Sequence, residues 1–246
     1  HIAIAATYMM LSLPYLNIQV ALAGYADLLL AACYLAAVAA LFNWSQHRES
    51  WQLYLALLAG AGCLLVKNEG FYWLLSLAPG ILLVTVGVRR SLAIIAVAAV
   101  ALLLLFWLLP PDLSIAGHTL ESIDLKYRPE SWYPIYLSAL VHDNWHLTGY
   151  LFFAALLIVP FCARPVLPLA AVMAATIVLY LALYLLTSNA HGAVRFTSLN
   201  RVALQFMPAL GFFILAVYLA LSNPGASSTK LSRNTSKHLQ PGRLTR

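Results

Sequence analysis

Apolar stretches long enough to cross a lipid bilayer follow one another along most of this chain. A membrane-spanning helix needs about 20 mostly apolar residues. Of the 246 residues, 63% are hydrophobic and only 9% are charged, whereas soluble domains carry about 25% charged residues. The sequence therefore predicts an integral membrane protein whose spans, each bounded to within a few residues, lie at 24–42, 51–66, 71–88, 91–109, 147–163, 166–186 and 202–221.

An eighth apolar segment, 2–20, contains Pro14, Asn17 and Gln19, so it is either a partial span or a broken helix. Backbone polar groups cannot remain unpaired in lipid, which makes the spans helical. The alternation of polar and apolar residues that barrel strands require is absent. We therefore expect an all-α fold, a polytopic transmembrane helical bundle of seven to eight spans with a loop region on its outer face.

The distribution of basic residues predicts the orientation. Nine of the 14 lysines and arginines lie in the connectors 43–50, 88–91 and 162–165 and in the C-terminal tail, and five lie in the other set of loops. Because cytoplasmic loops carry the excess of Lys and Arg, the first set is expected inside. The long loops 110–146 and 187–201 are then outside, and loops of that length are often functional.

The chain divides into a transmembrane domain, 1–221, and a basic tail, 222–246, which we expect to be a disordered cytoplasmic arm near anionic lipid. The chain opens with His1 inside an apolar run and without a signal peptide, so we expect that its natural N-terminus is missing. The chain has three cysteines, Cys33, Cys63 and Cys162. Their spacing suggests neither a metal site nor a disulfide framework, so we expect them to be small core residues.

Three charged residues share the outer membrane edge, where charge is expensive. Asp27 opens a span, and its carboxylate either caps the helix or has a functional role. Lys67 and Glu69 flank Asn68 in a tight turn closed by Gly70. Lys67 is either a snorkelling anchor or a partner for a lipid phosphate at that depth, and Glu69 is either a cap or a functional carboxylate.

The outer loops add further candidates for substrate binding. Arg195 and Arg201 precede the last span. Arg201 is either an ordinary interfacial anchor or a substrate-binding residue, and Arg195 offers a bidentate fork to phosphate oxygens. His142, Asp143 and His146 form an H-D-x-x-H cluster, for which a divalent cation is possible but a substrate-contacting or interfacial role is preferred. Residues 130–142 of the long outer loop 110–146 are expected to form an amphipathic helix that lies on the bilayer. Its surroundings are rich in aromatic residues that suit a membrane interface or sugar stacking: Tyr127, Trp132, Tyr133, Tyr136, Trp145 and Tyr150.

No P-loop, dinucleotide fingerprint, H-E-x-x-H or G-x-S-x-G motif occurs in the sequence. A cytosolic nucleotide therefore has no recognisable site, and no nucleic-acid partner is expected. Energy or an activated substrate has to come from the membrane or from an ion gradient.

Three stretches, AGYADLLLAACYLAAVAALF, LLAGAGCLLVKNEGFYWLL and RFTSLNRVALQFMPALGFFILAVYLAL, resemble polytopic glycosyltransferases of the GT-C superfamily. The resemblance is nearest to the protein mannosyltransferase and aminoarabinose transferase type and extends to about residue 221. It implies a multi-pass protein of the bacterial inner membrane that moves a sugar from a polyprenyl-phosphate carrier to a lipid, glycan or protein acceptor on the non-cytoplasmic face.

The resemblance also implies roles for particular residues. It places Asp27 in the acidic, catalytic-side cluster and gives Lys67 and Arg195 contacts with the carrier phosphate. Glu69 would balance charge, or orient Lys67 or the acceptor. The family's principal catalytic acid lies after the first span, in a region that would precede His1, so an incomplete enzyme is expected. The competing interpretations are a transporter or lipid flippase, in which membrane charges also mark substrate pathways, and a non-catalytic membrane subunit.

Overall fold

Each of the seven predicted spans forms a helix in the computed structural model of this protein. The structure describes residues 2–21, 26–108, 114–115, 118–119, 125–162 and 164–222. The helices that cover the predicted spans are α3 (Asp27–His47), α4 (Ser50–Val66), α5 (Gly70–Val86), α6 (Val88–Leu108), α8 (Thr148–Cys162), α9 (Leu167–Leu186) and α11 (Leu199–Ser222).

The remaining described elements are short. The eighth apolar segment is a broken helix, and the two outer loops contain short helices and one pair of antiparallel two-residue strands. These elements are α1 (Ile2–Leu11), α2 (Pro14–Ala21), β1 (Ser114–Ile115), β2 (His118–Thr119), α7 (Trp132–Tyr136) and α10 (Ala190–Val194). Within the described residues the fold is otherwise helical, which confirms the all-α prediction.

Three helices in the described part of the chain are long and apolar enough to cross a membrane, namely α3, α9 and α11. Three more apolar helices have 10–17 residues: Ser50–Val66, Gly70–Val86 and Thr148–Phe161. The length and composition of α3, α9 and α11 therefore support the membrane character expected from the sequence.

Helix α3 lies at the centre of the bundle and packs against α4, α5 and α11. Its buried side alternates large residues such as Leu30 and Tyr34 with alanines such as Ala37 and Ala40. Small residues let membrane helices approach closely, and this packing is what drives their association in lipid. This close packing around α3 excludes solvent from the side chains on its buried side, including Asp27 at its first residue.

The connection between α4 and α5 is a tight turn at Lys67–Gly70. The backbone N–H of Gly70 donates to the carbonyl of Lys67 at 2.9 Å. A Cβ on Gly70 would lie 2.1 Å from the carbonyl oxygen of Cys63, which is backbone and cannot move aside. Only glycine fits there, as the sequence predicts, and the turn holds Lys67 and Glu69 at one end of the bundle.

The predicted outer loops are more structured than connectors. Helical turns continue through Pro129–Ser131, α7 and Leu137–Val141, which agrees with the helix expected at 130–142. The predicted loop 187–201 contains α10, and α11 begins at Leu199. Arg201 therefore lies in the first turn of α11, which begins three residues before the predicted start of the last span.

Some sequence predictions fall outside the described residues. These are the tail 223–246, residue His1 and most of 109–124. Of the cysteines, Cys63 is fully buried and Cys33 is partly buried against the core, as expected for small core residues; the side chain of Cys162 is among the parts not described.

Candidate functional site

Asp27 is fully buried at the first residue of α3. The N-cap of this helix is Ala26, so Asp27 lies inside the first turn and does not occupy the capping position. Its carboxylate accepts three hydrogen bonds from side chains instead, so the capping interpretation does not describe it. The donors come from two other parts of the chain: Lys67 on the α4–α5 turn, and Arg201 and Gln205 on α11.

Lys67 lies one residue beyond the end of α4. Its Nζ is 2.7 Å from Oδ1 of Asp27, and its side chain keeps 24% of its surface exposed. A buried charge is tolerated only when it is paired and hydrogen-bonded. The ammonium therefore lies between a hidden carboxylate and the exterior.

Arg201 contacts the other carboxylate oxygen. Its Nε lies 3.3 Å from Oδ2 of Asp27, and 34% of its side chain is exposed. Lys67 and Arg201 thus approach one carboxylate from two different elements, and both cations have a side that faces away from it. Each of the two cationic side chains also keeps part of its surface exposed.

Gln205 links Asp27 to a buried indole. Its Nε2 donates to Oδ1 of Asp27 at 2.6 Å, and its Oε1 accepts from Nε1 of Trp73 at 2.7 Å. An indole N–H can only donate, so Oε1 of Gln205 has to face Trp73 and Nε2 has to face Asp27. Because all its partners are donors, Asp27 serves only as an acceptor, which is the arrangement of an ionised carboxylate.

Glu69 forms a looser pair with Lys67. The distance from Nζ of Lys67 to Oε1 of Glu69 is 3.6 Å, which is too long for a good hydrogen bond, and 30% of the Glu69 side chain is exposed. Glu69 stands at the N-cap of α5 without making a side-chain capping bond. Among the described residues the cluster contains two carboxylates and two cations, and Glu69 is its least constrained member.

The other predicted site residues lie apart from this cluster. Arg195 follows α10, is exposed, and makes no side-chain hydrogen bond or ion pair with any described residue. The structure therefore brings together Asp27, Lys67, Glu69 and Arg201, and leaves Arg195 outside their contacts.

The H-D-x-x-H cluster divides in two. The ring of His142 packs on Phe196 with 5.6 Å between centroids, whereas Asp143 pairs with His146 at 3.1 Å. No group of three His, Cys, Asp or Glu side chains suitable for a metal occurs among the described residues. In this arrangement the three residues do not form a shared ligand set.

Sequence reasoning missed Gln205 and Trp73. A signal was present, because Gln205 is a polar residue within an apolar span and lies four residues after Arg201, on the same helix face. Nothing comparable marked Trp73, since an indole in an apolar helix is an ordinary core residue.

An apolar cavity of about 750 Å³ runs along the neighbouring face of α11. The cavity begins at Leu204, three residues after Arg201, and reaches Tyr218, which is about 21 Å of helix. Its opposite wall belongs to α1 and α2, and a few side chains of α3 and α8 complete it. A long, narrow apolar space beside a membrane helix suits a lipid chain.

The chain matches no family model, no curated protein and no solved structure at a significant level.

Proposed function

We propose that this chain is a membrane glycosyltransferase of the GT-C type that moves a sugar from a polyprenyl-phosphate carrier to a hydroxyl acceptor. The observation that carries the proposal is the pair of partly exposed cations, Lys67 and Arg201, held on one buried carboxylate beside an apolar cavity. A lipid phosphate needs both features together: cations for its head and apolar surface for its tail.

The proposal includes a multi-pass topology in the inner membrane. The seven helices that cover the predicted spans, with the broken α1–α2 segment as an eighth, would cross the bilayer or enter it. The excess of basic residues in 43–50, 88–91, 162–165 and the tail places those parts in the cytoplasm. The Asp27 cluster then lies at the outer face.

The phosphate would bind to the exposed sides of Lys67 and Arg201. The carrier phosphate gains negative charge as the glycosidic bond breaks, and preorganised cations stabilise that charge in the transition state. Among the described ion pairs of the cluster, the one between Glu69 and Lys67 is the longest, so Glu69 is the partner most easily replaced. Arrival of the phosphate would release Glu69 from Lys67.

The released Glu69 is the candidate general base. The acceptor hydroxyl attacks the anomeric carbon, the bond from that carbon to the phosphate oxygen breaks, and the polyprenyl phosphate leaves with the electron pair. The hydroxyl proton passes to a carboxylate. Asp27 is poorly suited to that task, because it is fully buried and held by three donors. Its role is that of a counter-ion that positions the two cations.

The acceptor would approach from the side of the outer segments. Arg195, His142 and Asp143 are exposed there and are candidates for contacts with the sugar or acceptor. Exposed aromatic rings occur on the same segments, including Trp132, whose indole N–H donates to the hydroxyl of Tyr127. Such rings suit both a membrane interface and sugar stacking.

Binding of a short prenyl phosphate tests the proposal directly. The chain is placed in nanodiscs, and the affinities for farnesyl phosphate and for farnesol are compared in the wild type, Lys67→Ala and Arg90→Ala. We expect the wild type to prefer the phosphate by about tenfold or more. Lys67→Ala should lose that preference. Arg90→Ala removes an exposed cation at the start of α6 and should keep it. Equal affinity of the wild type for both ligands would contradict the proposal.

A second candidate, a transporter or lipid flippase, is favoured by one observation. The hydroxyl of Tyr34 is hydrogen-bonded to Ser76 and Thr176, so α3, α5 and α9 share a buried polar cluster. Polar groups inside a membrane bundle often mark a substrate pathway. Sugar movement across sealed vesicles without formation of a new glycosidic bond would favour this candidate over transfer.

A further inference from the structure

The corner between α1 and α2 is held by a segment far away in sequence. We name the segment Asp143–Leu147, just before α8, the clasp segment. Its Trp145 is fully buried and packs on Tyr15 of α2, with 5.3 Å between ring centroids. The next residue, His146, reaches the corner itself, since its Nε2 lies 3.0 Å from the carbonyl oxygen of Ser12.

Both ring nitrogens of His146 face acceptors. Nδ1 lies 3.1 Å from Oδ1 of Asp143, and Nε2 faces the Ser12 carbonyl. A carbonyl and an ionised carboxylate can only accept, and a neutral imidazole carries a single N–H. Whichever nitrogen bears that proton, the other would point its lone pair at an acceptor. Only the protonated ring donates to both partners.

The charges around His146 are few. Helices α1 and α2 contain no charged residue, and their titratable side chains are Tyr8 and Tyr15. On its own segment His142 turns away to Phe196, which leaves Asp143 as the charged group that faces the ring among the described residues. The hydrogen bond to Ser12 and then the one to Asp143 raise the pKa of His146.

Because the pKa of His146 is raised when its ring contacts Ser12 and Asp143, the protonated ring stabilises this arrangement. The stabilisation is complete below the pKa of the free ring. The stabilisation disappears as the pH rises through the folded pKa. The arrangement in which His146 donates to both Ser12 and Asp143 is therefore present in mild acid, and one of its two hydrogen bonds is lost towards alkaline pH.

The backbone of His146 adopts a left-handed conformation. Its φ is +48°, which costs a non-glycine residue free energy, although His adopts this region more readily than most residues. Loss of the proton removes one of the two hydrogen bonds that compensate for this conformation. Release of the clasp segment is thus favoured once the ring is neutral.

The corner that His146 holds forms part of the cavity wall. Ser12 lies between Leu11 and Leu13, and both line the cavity together with Thr7 and Met10 of α1. Loosening the corner moves the wall that stands opposite α11. The clasp is therefore placed where it can determine whether the cavity is open to the bilayer.

We propose that His146 is a proton-dependent clasp that holds the α1–α2 corner against the bundle and so controls the access of a lipid chain to the cavity along α11. The occupant follows from the apolar lining and from α11, one of the helices long enough to span a membrane. The inference needs a lipid chain in the cavity and does not depend on sugar transfer.

Hydrogen exchange of the full chain in nanodiscs measures the clasp without a substrate. The protection of amides in 4–21 is compared with that of 167–186 in α9 as an internal reference, between about pH 5.5 and about pH 9, with intrinsic rates corrected. In the wild type the relative protection should fall with rising pH, by about tenfold for every pH unit between the clasped and the free pKa of the ring.

Two variants separate the clasp from a general effect of pH. In Asp143→Asn the new amide can donate to Nδ1, so a neutral ring satisfies both contacts and protection should stay high throughout. In His146→Asn the left-handed backbone is tolerated but the side chain does not titrate in this range, so protection should be low at both ends. A wild type with pH-independent protection, or an Asp143→Asn variant that follows the wild type, overturns the proposal.

Photo-crosslinking tests the link to the cavity. Nanodiscs that contain a phospholipid with a diazirine at the end of its chain are irradiated at both pH values, and labelling of peptides from 204–218 is measured. Labelling should increase several-fold at alkaline pH in the wild type and stay low in Asp143→Asn. If the corner loosens with pH while this labelling does not change, control of the cavity is excluded.

Discussion

At the residue scale, Asp27 shows how a full negative charge is kept inside a membrane bundle. The carboxylate has no exposed surface, and Lys67, Arg201 and Gln205 together compensate for the hydration that it lost. Breaking a buried pair by removing one partner costs about 3–5 kcal/mol, because the other charge remains uncompensated. Asp27 thus holds Lys67 and Arg201 in position and compensates part of their positive charge.

The proposed role of Lys67 is tested by Lys67→Ala and Lys67→Arg. Loss of one charge-assisted contact to the carrier phosphate corresponds to about 1.5–3 kcal/mol, or about 10- to 150-fold in the transfer rate. Lys67→Arg should recover part of the activity, because its planar fork differs in size and shape from an ammonium. Transfer from a labelled polyprenyl-phosphate sugar is measured at matched membrane expression. Near-normal transfer by Lys67→Ala would leave the residue as an interfacial anchor.

The two hydrogen bonds that connect Trp73 to Gln205 and Gln205 to Asp27 are tested by a double-mutant cycle. Gln205→Leu leaves the indole N–H and one side of Asp27 unpaired, and Trp73→Phe leaves Oε1 of Gln205 unpaired. Each should lower the free energy of unfolding by about 1–3 kcal/mol. The double variant should lose less than the sum of the two, since the groups share one network.

The measurement for this cycle is the thermal unfolding midpoint in detergent for the wild type, both single variants and the double variant. Ser91→Ala serves as a comparison, because the buried hydroxyl of Ser91 donates to the Gly87 carbonyl next to the start of α6 and makes no contact with Trp73 or Gln205. Additive losses from Trp73→Phe and Gln205→Leu would show that the two side chains do not act as one unit.

At the element scale, the turn between α4 and α5 positions half of the site. Lys67 and Glu69 are separated by a single residue, and the turn directs one to the buried Asp27 and keeps the other partly exposed. This arrangement requires the backbone at Gly70 to approach Cys63 more closely than any side chain permits. The turn is therefore specified by a steric constraint and not by the charges that it carries.

Gly70→Ala should separate α4 from α5 and disturb the contact between Lys67 and Asp27. The added methyl group would lie 2.1 Å from the Cys63 carbonyl, and overpacking typically costs about 1–3 kcal/mol. Gly62→Ala is the matched control on α4, since its Cβ would meet Cys33 Sγ at an ordinary 3.8 Å. Thermal unfolding in detergent should show a lower midpoint for Gly70→Ala only. Equal midpoints for the two variants would contradict the steric argument.

At the scale of the whole molecule, the bundle has two different ends. One end carries the Asp27 cluster, and the other carries hydrogen bonds that join the α3–α4 corner to its neighbours. There Arg48 donates to the carbonyl of Val84 at 2.8 Å, and Gln46 donates to that of Pro165 at 2.8 Å. The proposed orientation assigns the first end to the outside and the second to the cytoplasm.

That orientation predicts opposite labelling of two introduced cysteines. In a chain whose three native cysteines have been replaced, Ser114→Cys should react with a membrane-impermeant maleimide added from the outside. Ser228→Cys should react only after the membrane is opened, because the basic tail is expected in the cytoplasm. Labelling of both positions from one side would refute the assignment.

The sequence by itself determined the helices. Long apolar stretches favour helices, because a helix satisfies its own backbone hydrogen bonds, and all seven predicted spans and the broken segment at 2–20 appear as helices. The sequence also predicted that Asp27, Lys67 and Glu69 lie at the same end of the bundle. Each of them stands at the end of an apolar stretch, and successive stretches cross the bundle in opposite directions.

Only the tertiary structure decided which side chains meet. Depth along a helix says nothing about the direction in which a residue faces, and packing around α3 is what joined Arg201 and Gln205 to Asp27 while it left Arg195 exposed. The same holds for Ser12 and His146, which are 134 residues apart. Helix formation is a local property of the chain, whereas contacts between helices depend on the shape of every side chain at their interface.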